Sequence, residues 1–161
     1  MQNTLKVHGN CKIEITDKKG KTKVITGKNV ILGEGARNFL LSDETISQTI
    51  LSTQNQTVTD YSTPDIATYQ EIAITQKTYI GQSGTNFIAE LQMFADIGEA
   101  TGEWNSVFIG NKSYWLSYFL IVIEGIPPTV GITVLSTDTV KVTWTFTITD
   151  NSSGNTSYTN Q

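Results

Sequence analysis

The sequence predicts a mainly β fold, an antiparallel β-sandwich or jelly-roll-like domain with one or two short helices, and three observations carry that expectation. From Thr139 to Thr149, Val140, Val142, Trp144, Phe146 and Ile148 alternate with Thr139, Lys141, Thr143, Thr145, Thr147 and Thr149. Only a strand with one face buried satisfies a strict period of two. Five apolar side chains on that face, two of them large aromatics, require a facing layer of similar size, so these five residues are the expected core of a central strand. Second, Tyr114 to Ile123 is apolar except for Ser117. That run is about half the length of a membrane-crossing helix, so it reads as a strand buried on both faces. Third, turn-forming segments punctuate the chain at hairpin spacing, leaving about eight strands between them.

Taken in order, Lys6 to Thr16 is a strand in which Cys11, Ile13 and Ile15 alternate with Lys12 and Glu14. Asp17-Lys18-Lys19-Gly20 turns it, Gly20 supplying the positive φ of a tight loop, and Lys21 to Thr26 returns as its partner. After Val30, Ile31 and Leu32, the residues Ala36, Arg37, Phe39, Leu40 and Leu41 fall at helical spacing; a short helix over about Glu34 to Leu41 is expected, docked through Phe39 and Leu40. Ile46, Ile50 and Leu51 suit one face of a second helix over Glu44 to Leu51, against the Thr and Ser content of that stretch. Ser52 to Thr68 is polar, turn-rich and contains Pro64; it reads as a functional loop or as an arm that orders against a neighbour. Strands resume at Tyr69 to Tyr79 and at Asn86 to Ala95, the latter with Phe87, Ala89, Leu91 and Met93 on one side. Gly98 to Gly102 turns the chain toward Trp104 to Ile109, and Pro127-Pro128 marks a sheet edge or a crossing before the strand Ile132 to Leu135. One domain is expected over 1–150, with 52–68 as its long polar arm and 151–161 as a polar tail.

A chain of 161 residues buries roughly 70% of its unfolded surface and needs no staple to fold. Hydrophobic content of 38% and charged content of 16% are both low, the difference being made up by uncharged polar residues. A net charge of −4 argues against a nucleic-acid partner, which would require clustered Lys and Arg. The one cationic run, Lys18 to Lys23, reads as a hairpin tip. Cys11 is the sole cysteine, so no internal disulfide is expected, and Met1 to Lys6 lacks the apolar core of a signal peptide. The expectation is a chain neither exported by that route nor inserted in a membrane.

Chemistry-bearing patterns are sparse. His8-x-x-Cys11 offers two metal ligands without a second pair, and alternation puts Cys11 on the buried face with Ile13 and Ile15. No Gly-x-Ser-x-Gly turn accompanies the single histidine, and Gly33-Glu34-Gly35 is followed by no lysine suited to phosphate. Glu90, Asp96, Glu99 and Glu103 are the candidate carboxylates for a glycosidase, which would hold two of them roughly 5–10 Å apart. Trp104 and Trp115 are the candidates for glycan stacking. The competing reading of the apolar run puts Trp115, Phe119, Ile121 and Ile123 on a core face, and Tyr114, Tyr118, Leu120 and Val122 on a face that meets a second subunit.

Three segments carry a family resemblance. Gly27-Lys28-Asn29-Val30-Ile31-Leu32-Gly33-Glu34-Gly35-Ala36-Arg37-Asn38-Phe39-Leu40 resembles the opening of small structural proteins in tailed-bacteriophage virions, where an asparagine and apolar residues precede glycine and a short helix. Ile88-Ala89-Glu90-Leu91-Gln92-Met93-Phe94 is similar to their mid-chain segment, with Gln92 where that family usually carries glycine, and Ser136 to Ile148 is similar to their closing strand. The resemblance implies a non-enzymatic component of the tail, baseplate, fibre or head-to-tail region, assembled in the host cytoplasm and present in several copies around a symmetry axis. Its implied partners are other virion proteins and copies of itself, without cofactor, metal or nucleic acid. The alternative is a carbohydrate-binding β-sandwich module that attaches to host surface glycans.

Overall fold

The computed structural model describes residues 5–32, 46–54, 69–111 and 115–150. The strands are β1 (Leu5–Thr16), β2 (Thr22–Lys28), β3 (Val30–Ile31), β4 (Gln48–Ser52), β5 (Tyr69–Ser83), β6 (Asn86–Ala95) and β7 (Gly102–Trp104). They continue with β8 (Ser106–Gly110), β9 (Trp115–Leu120), β10 (Val122–Ile123), β11 (Thr129–Val130), β12 (Ile132–Val134) and β13 (Thr139–Asp150). No helix occurs among the described residues, and every paired strand is antiparallel. The fold is mainly β, as the alternating pattern predicts. The expected helix over Glu34 to Leu41 lies outside the described residues. The second expected helix is corrected where it is described: Gln48–Ser52 is strand β4, paired on one side with β5 and on the other with β8.

Nine strands form one sheet in the order β2-β1-β13-β6-β5-β4-β8-β9-β3, which folds over itself into two leaves. Leaf I is β2-β1-β13-β6 with the C-terminal part of β5. Leaf II is the N-terminal part of β5 with β4-β8-β9-β3. The change of leaf occurs within β5, which pairs with β4 up to Ala73 and with β6 from Ile74 on, with register irregularities after Ile74 and after Tyr79. Such irregularities sharpen local twist and let a strand turn a corner. The opposite corner is made by consecutive strands. β2 follows β1 as far as Lys28, Asn29 N–H donates to Gly9 O (3.2 Å), and β3 then joins β9, with Leu32 N–H donating to Leu116 O (2.9 Å). The two ends of the sheet therefore meet at Asn29, and the sandwich is closed at both corners.

The core lies between the leaves. Cys11, Ile13, Met93, Val140, Val142 and Trp144 enter it from leaf I, and Leu51, Val107, Ile109 and Phe119 from leaf II. Of the five residues expected at the centre, Val140, Val142, Trp144 and Phe146 are buried, whereas Ile148 is half-buried toward the strand end. The Trp144 and Phe146 rings stack, with centroids 6.2 Å apart and planes 2° from parallel. Trp144 Nε1–H donates to Thr49 Oγ1 at 2.9 Å, a hydrogen bond from β13 to β4 across the core. Buried indole N–H groups require such a partner. At the Asn29 corner, a Cβ on Gly27 would stand 2.6 Å from the Phe119 ring, so glycine is what lets the two leaves close there. Paired β7 and β12 cover one end of the core with Trp104, Ile132 and Val134.

Leaf II is apolar on its outer side as well. Ile50, Phe108 and Tyr118 are cross-strand neighbours on β4, β8 and β9, and with Leu32 they make a second buried cluster. The Phe108 ring lies 4.8 Å from Tyr118 and 5.9 Å from Trp115, both tilted, a favoured aromatic geometry. Strict alternation from Tyr114 to Ile123 would put Trp115 with Phe119. The structure corrects that grouping: Ile109 faces Ser117 but Gly110 faces Trp115, so one extra residue is inserted at Leu116. The bulge turns Trp115 to the outer cluster and Leu116 to the inner core. The predicted single strand is also interrupted at buried Ile121, between β9 and β10.

Candidate functional site

The single histidine and the single cysteine stand three positions apart on β1, so they point to opposite faces. His8 is exposed, while Cys11 is buried and its thiol is pushed well above its ordinary pKa by loss of hydration. They cannot ligate one ion together. No group of three or more His, Cys, Asp or Glu side chains placed to hold a metal occurs among the described residues. The four candidate carboxylates are dispersed. Glu90 sits on the outer face of leaf I and accepts a hydrogen bond from Gln92 Nε2 at 2.6 Å. Asp96 and Glu99 shape the β6–β7 turn: Glu99 Oε2 accepts from Asp96 N–H and Asp96 Oδ1 from Ile97 N–H, each at 2.8 Å. Glu103 is exposed on β7.

Neither tryptophan proposed for glycan stacking offers a free ring on this fold. Trp104 is only 6% exposed and its Nε1–H donates to Ala100 O at 2.8 Å, which plugs the ring into the end of the core. Trp115 is half-buried against Phe108. The four residues proposed for a subunit contact separate in the same way. Tyr114 lies outside the described residues. Tyr118 is 1% exposed, inside the outer cluster of leaf II, and burial pushes its hydroxyl pKa up to about 12. That corrects its expected place on a subunit-facing surface: its ring packs beside Phe108 within a buried cluster. Leu120 is half-buried against the same cluster, and Val122 remains exposed.

Three surface features stand out in their place. On the outer face of leaf I, the Thr-rich side of β13 floors a concavity of about 520 Å³. Across it run the cross-strand rows Lys12–Thr143–Gln92 and Asn10–Thr145–Glu90, with Lys12 Nζ 3.5 Å from Glu14 Oε1. No aromatic ring lines it. The second feature is the β10–β11 hairpin, in which Val122 pairs with Val130 and the connection runs through Ile126, Pro127 and Pro128. Val122, Ile126 and Val130 are all exposed, Ile126 completely. The third is the end of leaf I where Thr16 faces Thr139 and Val140 faces Ala95, which gathers the β1–β2, β12–β13 and β6–β7 turns. Phe94, Ile97 and Leu135 are exposed there. The sequence alone gives Ile126 and Ile97 no role and places Leu135 at the end of an expected strand, whereas β12 stops at Val134. Their signal was available, since each is a large aliphatic residue beside turn-forming Gly, Pro or Ser, where burial has no element to serve it.

Geometry of this kind defines a closed antiparallel β-sandwich. No protein-family model matches the chain, and neither a curated protein nor a solved structure matches it.

Proposed function

We propose that this chain is a non-enzymatic structural subunit, acting by packing against copies of itself and other proteins, of the kind found in the tail, baseplate, fibre or head-to-tail region of tailed-bacteriophage virions. The observation that carries the packing role is the β10–β11 hairpin. Val122, Ile126 and Val130 stand exposed on a two-stranded projection although the interior of the sandwich is already filled from both leaves. Apolar side chains held out of a filled core are stabilised by a neighbour that covers them. The virion assignment is supported by where the resembling segments fall. Ile88 to Phe94 and Ser136 to Ile148 lie largely on adjacent strands, with Met93 opposite Val142 and Leu91 opposite Trp144, and Asn29 of the first segment sits at the corner where the leaves meet. These are the positions that shape the scaffold.

Mass measured by light scattering across a range of concentrations tests the packing role. The expected result is a discrete oligomer, or concentration-driven growth into rings or tubes, that shifts to higher concentration in a Val122→Ser/Ile126→Ser variant. A monomer at every concentration overturns it.

A further inference from the structure

Charge is segregated along this chain. Seven of its eleven Lys and Arg residues lie in the first 28 positions, accompanied there by only two of its fifteen acids. The fold places that excess on the β1–β2 hairpin, where Lys18, Lys19, Lys21 and Lys23 are exposed. β2 is also the outer strand of leaf I: it pairs with β1 alone, so on its other side the backbone groups near Lys23 and half-exposed Val24 (50%) face no strand among the described residues. Neither Lys21 nor Lys23 forms an ion pair among the described residues.

The opposite charge stands at the same end of leaf I. The β6–β7 turn and β7 expose Asp96, Glu99 and Glu103 around Ile97 (63% exposed), and Leu135 (58%) is exposed on the β12–β13 turn, whose Ser136 lies beside Gly98. Between β2 and β6 lie β1 and β13, a separation of about 14 Å at ordinary strand spacing. Among the described residues the lysines form no ion pair with these carboxylates, and the separation exceeds the screening length of about 8 Å at physiological salt. Among the described residues, neither surface is neutralised within one copy.

We propose that the partner of the basic β2 edge is the acidic, Ile97-centred end of a second copy of this chain. The inference deepens the packing role proposed above and rests on it. Two β2 edges meeting about a two-fold axis would bring lysines against lysines, which is how edge strands resist self-pairing. An acidic surface with an apolar centre removes that repulsion, covers Val24 with Ile97 and Leu135, and supplies electrostatic complementarity that sets register. The contact is heterologous because each copy offers two different patches, so assembly proceeds to a ring, or to a filament where the rotation does not close.

Two full-length variants test this, Lys21→Glu/Lys23→Glu and Ile97→Lys/Glu103→Lys, all at exposed positions without ion pairs among the described residues. Light scattering at low and high salt is expected to show association of the unaltered chain weakened about tenfold or more by salt, and comparable weakening in each variant alone. Mixing the two variants restores association, because the acidic edge of one then meets the basic end of the other. An oligomer that ignores both the variants and salt overturns this contact while leaving the packing role intact. An unaltered chain that stays monomeric even at low salt overturns the packing role itself. Circular dichroism of each variant confirms the fold, and an unfolded variant is replaced by the single changes Lys23→Glu and Glu103→Lys, read the same way.

Discussion

Leaf I is wet on one side and leaf II on neither. On β13 of leaf I, Val140, Val142 and Trp144 face the core while Thr143 and Thr145 floor an open polar concavity. On β8 of leaf II, Val107 and Ile109 enter the same core, but Phe108 between them is equally buried on the outer side. Two leaves of one folded-over sheet thus obey different sequence rules. A strand with one solvated face alternates, and a strand covered on both faces becomes a continuous apolar run such as Val107–Phe108–Ile109. The contrast shows that the polar face of leaf I is free for contacts in a way that leaf II is not.

The largest expected effects test whether leaf II truly has a second core. Trp144→Ala, in the inner core, should cost about 3–5 kcal/mol in urea unfolding, and Phe108→Ala, on the outer side of leaf II, should cost a similar amount. Thr145→Ala, on the outer side of leaf I and only half-buried, should change stability by about 0.5 kcal/mol or less. A small effect at Phe108 would make the leaves equivalent and dissolve the comparison.

Smaller effects sharpen the way the leaves are joined. Gly27→Ala drives a methyl group into the Phe119 ring at the Asn29 corner and should cost about 1–3 kcal/mol by thermal or urea unfolding. Thr49→Val keeps the shape but leaves the Trp144 indole N–H without its acceptor, for about 1–3 kcal/mol. Its signature would be a change in tryptophan fluorescence in the folded state.

An effect confined to alkaline pH distinguishes the outer cluster. The Tyr118 hydroxyl titrates at about 12 in the fold against an ordinary value near 10, because burial disfavours the phenolate. The unfolded chain therefore loses this proton first. Stability from this group is complete below pH 10 and declines as pH rises from 10 toward 12. Subtracting the pH profile of Tyr118→Phe from that of the unaltered chain should isolate this decline; identical profiles would place Tyr118 in a wetter setting than leaf II provides.

Leaf I was largely legible in the sequence. The alternation of β13, the bounds of β6 and the Asp17–Gly20 turn, with Gly20 at φ 83° and Asp17 Oδ1 accepting from the N–H groups of Lys19 and Lys21, follow from residues adjacent in the chain. Leaf II was legible only as apolar. Ile46, Ile50 and Leu51 suit a helix face by spacing, but Leu51 and Ile50 lie on opposite faces of β4, one in each core. A strand buried on both sides has no period of two with which to announce itself. Trp104 reads as a platform until the β7–β12 pair folds it into the core, and nothing near Trp104 in sequence encodes that pairing.

By itself the sequence determined the fold class, the one-sided character of the Thr-rich strand and the concentration of lysine in the first hairpin, because strand periodicity and turn chemistry are local properties. The tertiary structure alone decided that the sheet closes on itself at Asn29, that a bulge at Leu116 sends Trp115 outward, and that a basic edge and an acidic, Ile97-centred end flank the same end of the molecule. Each of these depends on which strands become neighbours and in what register, and that is set by packing between residues far apart in the chain.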